Sequence, residues 1–301
     1  MSLQAIRWGS HEPPFTAALA LARATRPGCT SGGGAIDIGA RGGEQTWEAL
    51  SQGYHVIAVE CQADEWWRLH QRWRLHDNVT LLHACASNGE GVYMLHNADG
   101  GSSLVPSSLR HAGEAARSRA FDKKREPVMA ISLDRLLSVA HEAVAHPICA
   151  VKVDVQGFER PALEGLNRTL RRFAPVIYYE YDHRFEVKGH KWARVSPFLR
   201  QLGYQCVPDD KRASRMASVD NEGASPDVPA AVEYGCISGY CDLTCAVGLS
   251  QAQIMRQLME WQASHRTFSP HTEFAAFVAA ASFGMGRADP STTVGTRGLE
   301  G

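Results

Sequence analysis

The sequence lacks most of the features that mark a specialised environment. Its 31 lysines and arginines nearly balance 32 aspartates and glutamates, giving a formal net charge of -1. No electrostatic pull toward nucleic acid or an anionic membrane is expected from that balance. No apolar run approaches the ~20 residues of a membrane-spanning helix. The opening MSLQAIRWGSHEPPF shows no basic segment followed by an apolar one, which argues against a secretory signal. The eight cysteines contain no C-x-x-C pair, so no zinc site is expected. Several lie in apolar, strand-like runs and read as buried, reduced thiols of a cytoplasmic protein. A G-x-G-x-x-G dinucleotide fingerprint cannot be written through the glycine-rich turn that follows the first apolar strand.

What is present is an alternation of short apolar strands and helices. Strand Ala35–Ile38 leads to a helix over Glu44–Gln52, strand Val56–Glu60, a helix over Asp64–Leu75 and strand Val79–Ala84. Residues 88–127 break the rhythm and read as a lid or insertion. It resumes at Ile131–Leu137, with strand Ile148–Asp154, a helix over Glu159–Arg172 and strand Val176–Glu180. A helix over Ser196–Leu202 and strand Gly203–Val207 follow, then a polar loop over 208–232 and a last, antiparallel edge strand within Cys236–Val247. The pattern predicts an α/β fold, a mostly parallel sheet with helices on both faces. It divides the chain into an N-terminal helical segment (1–30), a main domain (31–250), C-terminal helices (251–283) and a disordered tail (284–301).

Chemistry concentrates where strands end. The stretch GAIDIGARGGEQT (34–46) carries Asp37 two residues before Gly39, and Glu60 closes the next strand 23 residues on. An acid at the tip of the second strand suits ribose hydroxyls, and a carboxylate, being acceptor-only, can take both. Asp37 would repel a pyrophosphate but accept hydrogen bonds from an ammonium group. The expected ligand is therefore cationic and phosphate-free, S-adenosylmethionine rather than NAD. Gly39, Ala40, Arg41 and Gly43 form the turn, its glycines letting the backbone approach the ligand, and Ser87 stands where an adenine edge would lie.

Further along, KVDVQGFE (152–159) brings Asp154 to the same sheet edge, and VIYYE (176–180) brings Glu180. Lys152 shares strand parity with Asp154, and a lysine inside so apolar a strand calls for a carboxylate partner. Converging carboxylates would suit Mg2+, but Lys152 or Arg184 would neutralise them equally well, so a metal is not favoured. His183, just past Glu180, is the best-placed general base. Ser102 or Ser103 would belong to a lid touching the acceptor.

DIGARGGEQT, AVEC, SLDRLL, KVDVQGFERPALEG and VIYYE, in that order, resemble the FkbM family of S-adenosylmethionine-dependent methyltransferases over roughly residues 33–205. The resemblance implies a class I methyltransferase fold with a seven-stranded sheet. It also implies methyl transfer to a hydroxyl oxygen of a sugar or small natural product, with Asp154, Glu180 and His183 around the acceptor. Two positions depart from the family pattern: Arg41 stands where Asn is expected, and Gln156 where Glu is expected. They keep open a fold that binds the cofactor with reduced turnover. A nicotinamide-dependent oxidoreductase is the more distant alternative.

Overall fold

In the computed structural model, the described residues are 15–30, 33–97, 102–105, 124–139, 146–182, 195–208 and 240–265, all within one compact unit spanning 1–266. The candidate base His183, residues 266–283 of the expected C-terminal helices and the tail lie outside them.

The first half alternates as the apolar pattern requires: α1 (Phe15–Thr25), β1 (Gly34–Ile38), α2 (Glu44–Ser51), β2 (His55–Glu60), α3 (Ala63–Trp73) and β3 (Val79–His83). Then come β4 (Cys85–Ala86), β5 (Gly91–Asn97), β6 (Lys124–Ile131), α4 (Leu133–Val139) and β7 (Ile148–Val153). The chain continues through α5 (Glu159–Glu164), α6 (Asn167–Phe173), β8 (Val176–Asp182), α7 (Val195–Gln201), β9 (Tyr204–Pro208), β10 (Tyr240–Val247) and α8 (Gln251–Ser264). Seven strands form one sheet in the order β3-β2-β1-β7-β8-β10-β9. β10 runs antiparallel to both β8 and β9. The antiparallel strand therefore sits one place in from the edge, and β9 is the edge strand.

Strand alternation sends side chains to two apolar layers. Ile36, Ile38, Val151, Val153, Ile177 and Tyr179 face a layer completed by Leu137, Leu163, Leu170 and Leu199 of α4–α7. Ala35, Val56, Ala150, Val176 and Tyr178 face the opposite layer with Leu19 of α1, Ala49 of α2 and Leu258 of α8. Near-complete burial of β1 and β7 on both faces accounts for their almost unbroken apolar runs.

Three features differ from the sequence expectation. The 88–127 break contains β5 and the first half of β6, which pair antiparallel in a separate three-stranded sheet with β4. Val92, Met94 and Met129 of this ribbon face solvent, so apolar residues lie on the wet face and the alternation is unreadable. The single helix expected over 159–172 is two helices. A Cβ at Gly165 would sit 1.9 Å from the Ser87 carbonyl oxygen. The new helix α6 is capped from outside: Asp134 accepts the Arg168 and Thr169 backbone N–H groups at 2.6 and 3.0 Å. The SLD stretch thus docks a helix. Finally, the described cysteines are not free thiols. Cys29–Cys149, Cys61–Cys85 and Cys206–Cys245 are bonded pairs, and Cys241 is also disulfide-bonded. Each described pair joins cysteines far apart in sequence, where spacing gives no signal. The cysteine argument for a cytoplasmic location falls with this correction. No described helix is long and apolar enough to cross a membrane.

Buried charge ties the elements together. Asp37 of β1 and Lys152 of β7 are register partners. The Lys152 ammonium lies 3.3 Å from Asp37 Oδ1 and donates to the Gly39 carbonyl at 2.8 Å, while Thr46 of α2 donates to Asp37 Oδ2 at 2.7 Å. Removing one member strands a buried charge, so Lys152→Met is expected to lower the unfolding free energy by about 3–5 kcal/mol. Pairing it with Asp37→Asn should recover much of that loss, as read by denaturant unfolding. Glu48 of α2 is a second buried group, taking the Thr16 backbone N–H and hydroxyl at 2.7 and 2.8 Å. Burial pushes its pKa up to about 7 from 4.5, against the Thr16 hydrogen bonds. A raised folded pKa stabilises fully below the unfolded value and is lost as pH climbs through the folded one. Glu48→Gln should therefore flatten the fall in stability between about pH 5 and 8, by on the order of 2–3 kcal/mol.

Candidate active site

The C-terminal edge of the sheet gathers the residues singled out by sequence. After β1 the chain turns so that Gly39 and Ala40 donate their N–H groups to the Val59 carbonyl at 2.9 and 3.1 Å. Gly39, Arg41 and Gly43 all have positive φ, at 77°, 43° and 83°. The glycines are needed for packing as well as for conformation. A Cβ on Gly39 would lie 1.9 Å from the Asp154 carbonyl oxygen, and one on Gly43 would meet the Trp73 and Leu69 side chains. Gly42, which the sequence reading passed over, is the turn glycine with open space where a Cβ would stand. Arg41 occupies a left-handed position that suits Asn better, which gives the expected Asn at this point a conformational reason. Its side chain is exposed and its backbone N–H donates to Glu60 Oε2 at 2.8 Å.

Glu60 ends β2 only 7% exposed, its other oxygen accepting the Gln62 N–H at 2.7 Å. Burial raises its pKa above the ordinary value, while the Gln62 and Arg41 N–H groups and the Lys152 charge pull the other way. The N–H donors at 41, 61 and 62 leave acceptor capacity on this carboxylate for a ligand. Asp37 is fully buried and its oxygens face Thr46 and Lys152, so it acts on the turn from beneath. Ser87 is likewise wholly buried, accepting the Gly89 N–H at 3.4 Å.

The other side of this edge is built by β7 and β8. Asp154 follows β7 with its side chain 35% exposed and 3.8 Å from the Lys152 ammonium. Burial works against the Lys152 charge, but Asp37, Asp154 and Glu180 outweigh it, and its pKa is raised. Gln156 Nε2 donates to Asp154 Oδ1 at 2.9 Å and to Glu180 Oε2 at 2.6 Å. Glu159 shapes the loop by accepting the Val155 and Gly157 N–H groups at 3.2 and 2.9 Å, its pKa pushed by burial up to about 7. Asp242 of β10, a residue with no motif around it, is the register partner of Glu180 and is 5% exposed. A short segment crosses both halves: Ser102 donates to Gln62 Oε1 at 2.7 Å and Ser103 to the Gln156 carbonyl at 2.5 Å. Among the described residues no group of three or more His, Cys, Asp or Glu side chains is arranged to hold a metal ion. At the opposite edge of the sheet, a cavity of about 200 Å3 is lined in part by His55, Asn78 and His146.

Compared with known proteins, the chain is similar to several methyltransferases of solved structure. It is 13% identical to the FkbM methyltransferase of Methylobacillus flagellatus, with 71% of this chain and 43% of that one covered and a TM-score of 0.40. The chain thus spans less than half the length of that relative. An O-methyltransferase from Bacillus cereus, solved with SAH, is 14% identical over 77% of this chain and 80% of its own, with a TM-score of 0.38. Aeropyrum pernix fibrillarin, solved with natively bound S-adenosyl-L-methionine, is 12% identical over 78% and 74%, with a TM-score of 0.37. No curated protein matches the chain. The profile of the methyltransferase FkbM domain matches residues 37–206, more than half of the chain. The chain therefore belongs to the FkbM methyltransferase domain family.

Proposed function

We propose that the protein is an S-adenosylmethionine-dependent O-methyltransferase acting on a hydroxyl of a sugar or small natural product. The observation that carries this reading is the charge of the sheet edge. Glu60, Asp154 and Glu180 stand there around one buried cation, Lys152, which is already engaged by Asp37 and the Gly39 carbonyl. Such an edge disfavours a phosphate and suits a ligand carrying ammonium and sulfonium charges. The cofactor supplies an electrophilic methyl group, and everything else is work for this chain. Glu60 holds the ribose hydroxyls, and residues 39–43 line the ligand's polar end. Asp154 and Glu180 accept hydrogen bonds from the acceptor and aim its oxygen along the line of displacement, since alignment supplies most of the acceleration in such a reaction. Lys152 and Asp37 keep the turn and Asp154 in fixed relation.

Calorimetric titration with S-adenosylmethionine tests the first half of the proposal. Binding is expected in the wild type and at least tenfold weakened in Glu60→Ala, from loss of charge-assisted hydrogen bonds. Affinity should also fall on acidification, beginning above the ordinary carboxylate range because the Glu60 pKa is raised. Absence of heat in the wild type would sink the reading. The second half is tested by a methyl-transfer screen over hydroxylated sugars and natural products. Asp154→Ala should lose at least 100-fold in turnover while keeping cofactor affinity within about threefold, because orientation is worth ~10²-fold or more. Full activity in that variant would contradict its assignment.

A further inference from the structure

Gln156 is the departure from the family pattern that the proposed function leaves without a task. It sits at φ 52°, followed by Gly157 at φ 95°. The left-handed region favours Gly, Asn or Asp, and a glutamine gains nothing there from its own backbone. The surrounding structure holds it in place. Glu159 takes the N–H groups on either side of it, and Ser103 donates to its carbonyl. Turn chemistry alone would select Gly or Asn at this point. What glutamine adds is reach. Its Nε2 spans Asp154 Oδ1 and Glu180 Oε2 at 2.9 and 2.6 Å, offering one hydrogen to each. The reversed amide would set an oxygen against two carboxylate oxygens, so the chemistry of the neighbours dictates the orientation.

We propose that Gln156 is a positioning residue whose amide takes the place of a bridging cation, holding Asp154 and Glu180 together as a metal-independent acceptor clamp. The nitrogen occupies the space between the two carboxylates where a divalent ion, at about 2.1 Å from each oxygen, would otherwise sit. A glutamate at 156 would bring a third carboxylate into that space, and the cluster would then demand an ion or a proton. The clamp rests on the methyl-transfer reading only in placing the acceptor at this edge; the bridge itself is tested without an acceptor.

The test uses Mn2+ alone as probe, its binding followed by the loss of the free-ion EPR signal at neutral pH, on the wild type, Gln156→Glu and Gln156→Gly. Gln156→Glu should bind Mn2+ at least tenfold more tightly than the wild type, and its melting temperature should rise with added Mn2+ while that of the wild type stays put. Gln156→Gly removes the bridge and should gain at least threefold in Mn2+ affinity. A residue serving only the turn would leave Mn2+ binding at the wild-type level. If neither variant binds Mn2+ more tightly than the wild type, the clamp is overturned; if Gln156→Glu fails to fold, Gln156→Gly decides alone. Titration of the same samples with S-adenosylhomocysteine judges the functional reading separately, since failure there leaves the Mn2+ comparison intact.

Discussion

An ammonium with no access to water, held between two strands by a carboxylate and a carbonyl, is the constraint on which the rest of this structure depends. Lys152 is 3% exposed and Asp37 is fully buried. Leaving either charge alone in such a place costs several kcal/mol, so the two enforce each other. The consequences spread in three directions. Through the Gly39 carbonyl, Lys152 fixes the turn that follows β1; through Asp37 and Thr46, it docks the start of α2. Its contact with Asp154 carries the anchor to the β7 end of the same sheet edge. One buried cation thus sets the relative positions of both halves of the site.

Around that anchor much of the site is organised by backbone N–H groups donating to side-chain carboxylates. Glu60 takes N–H groups from positions 41 and 62, Glu159 takes those of 155 and 157, and Asp134 takes those of 168 and 169. Each carboxylate bends a loop at a strand end or opens a helix, and each satisfies donors that burial would otherwise leave orphaned. The shape of the edge is therefore electrostatic in origin. Its surplus of acceptors makes it hospitable to cationic ligands, and Gln156 is the donor that keeps two of those acceptors from repelling each other.

Much of the sheet was legible because doubly buried strands such as Ile148–Val153 have to be apolar throughout, and strand ends have to carry the polar chemistry. The carboxylates at Asp37, Glu60, Asp154 and Glu180 could be placed at one edge by parity and position alone. Their division of labour could not. Asp37 has a lysine as its register partner and Ser87 is wholly buried, and neither environment shows in the spacing of the motifs. Asp242 was invisible because it arrives from a distant antiparallel strand with no motif around it. The β5–β6 ribbon escaped because its apolar residues face solvent, and the disulfides because contact across strands leaves no trace in spacing.

An S-adenosyl ligand bound at the C-terminal edge, over the turn that Lys152 and Asp37 hold, would shield that edge from exchange with water. Hydrogen exchange with and without S-adenosylhomocysteine tests it most directly. Slowed exchange is expected at residues 39–43, 60–62 and 154–157, with no change around the cavity near His55, Asn78 and His146 at the other edge. Protection confined to that opposite edge, or no protection at all at saturating ligand, would contradict it.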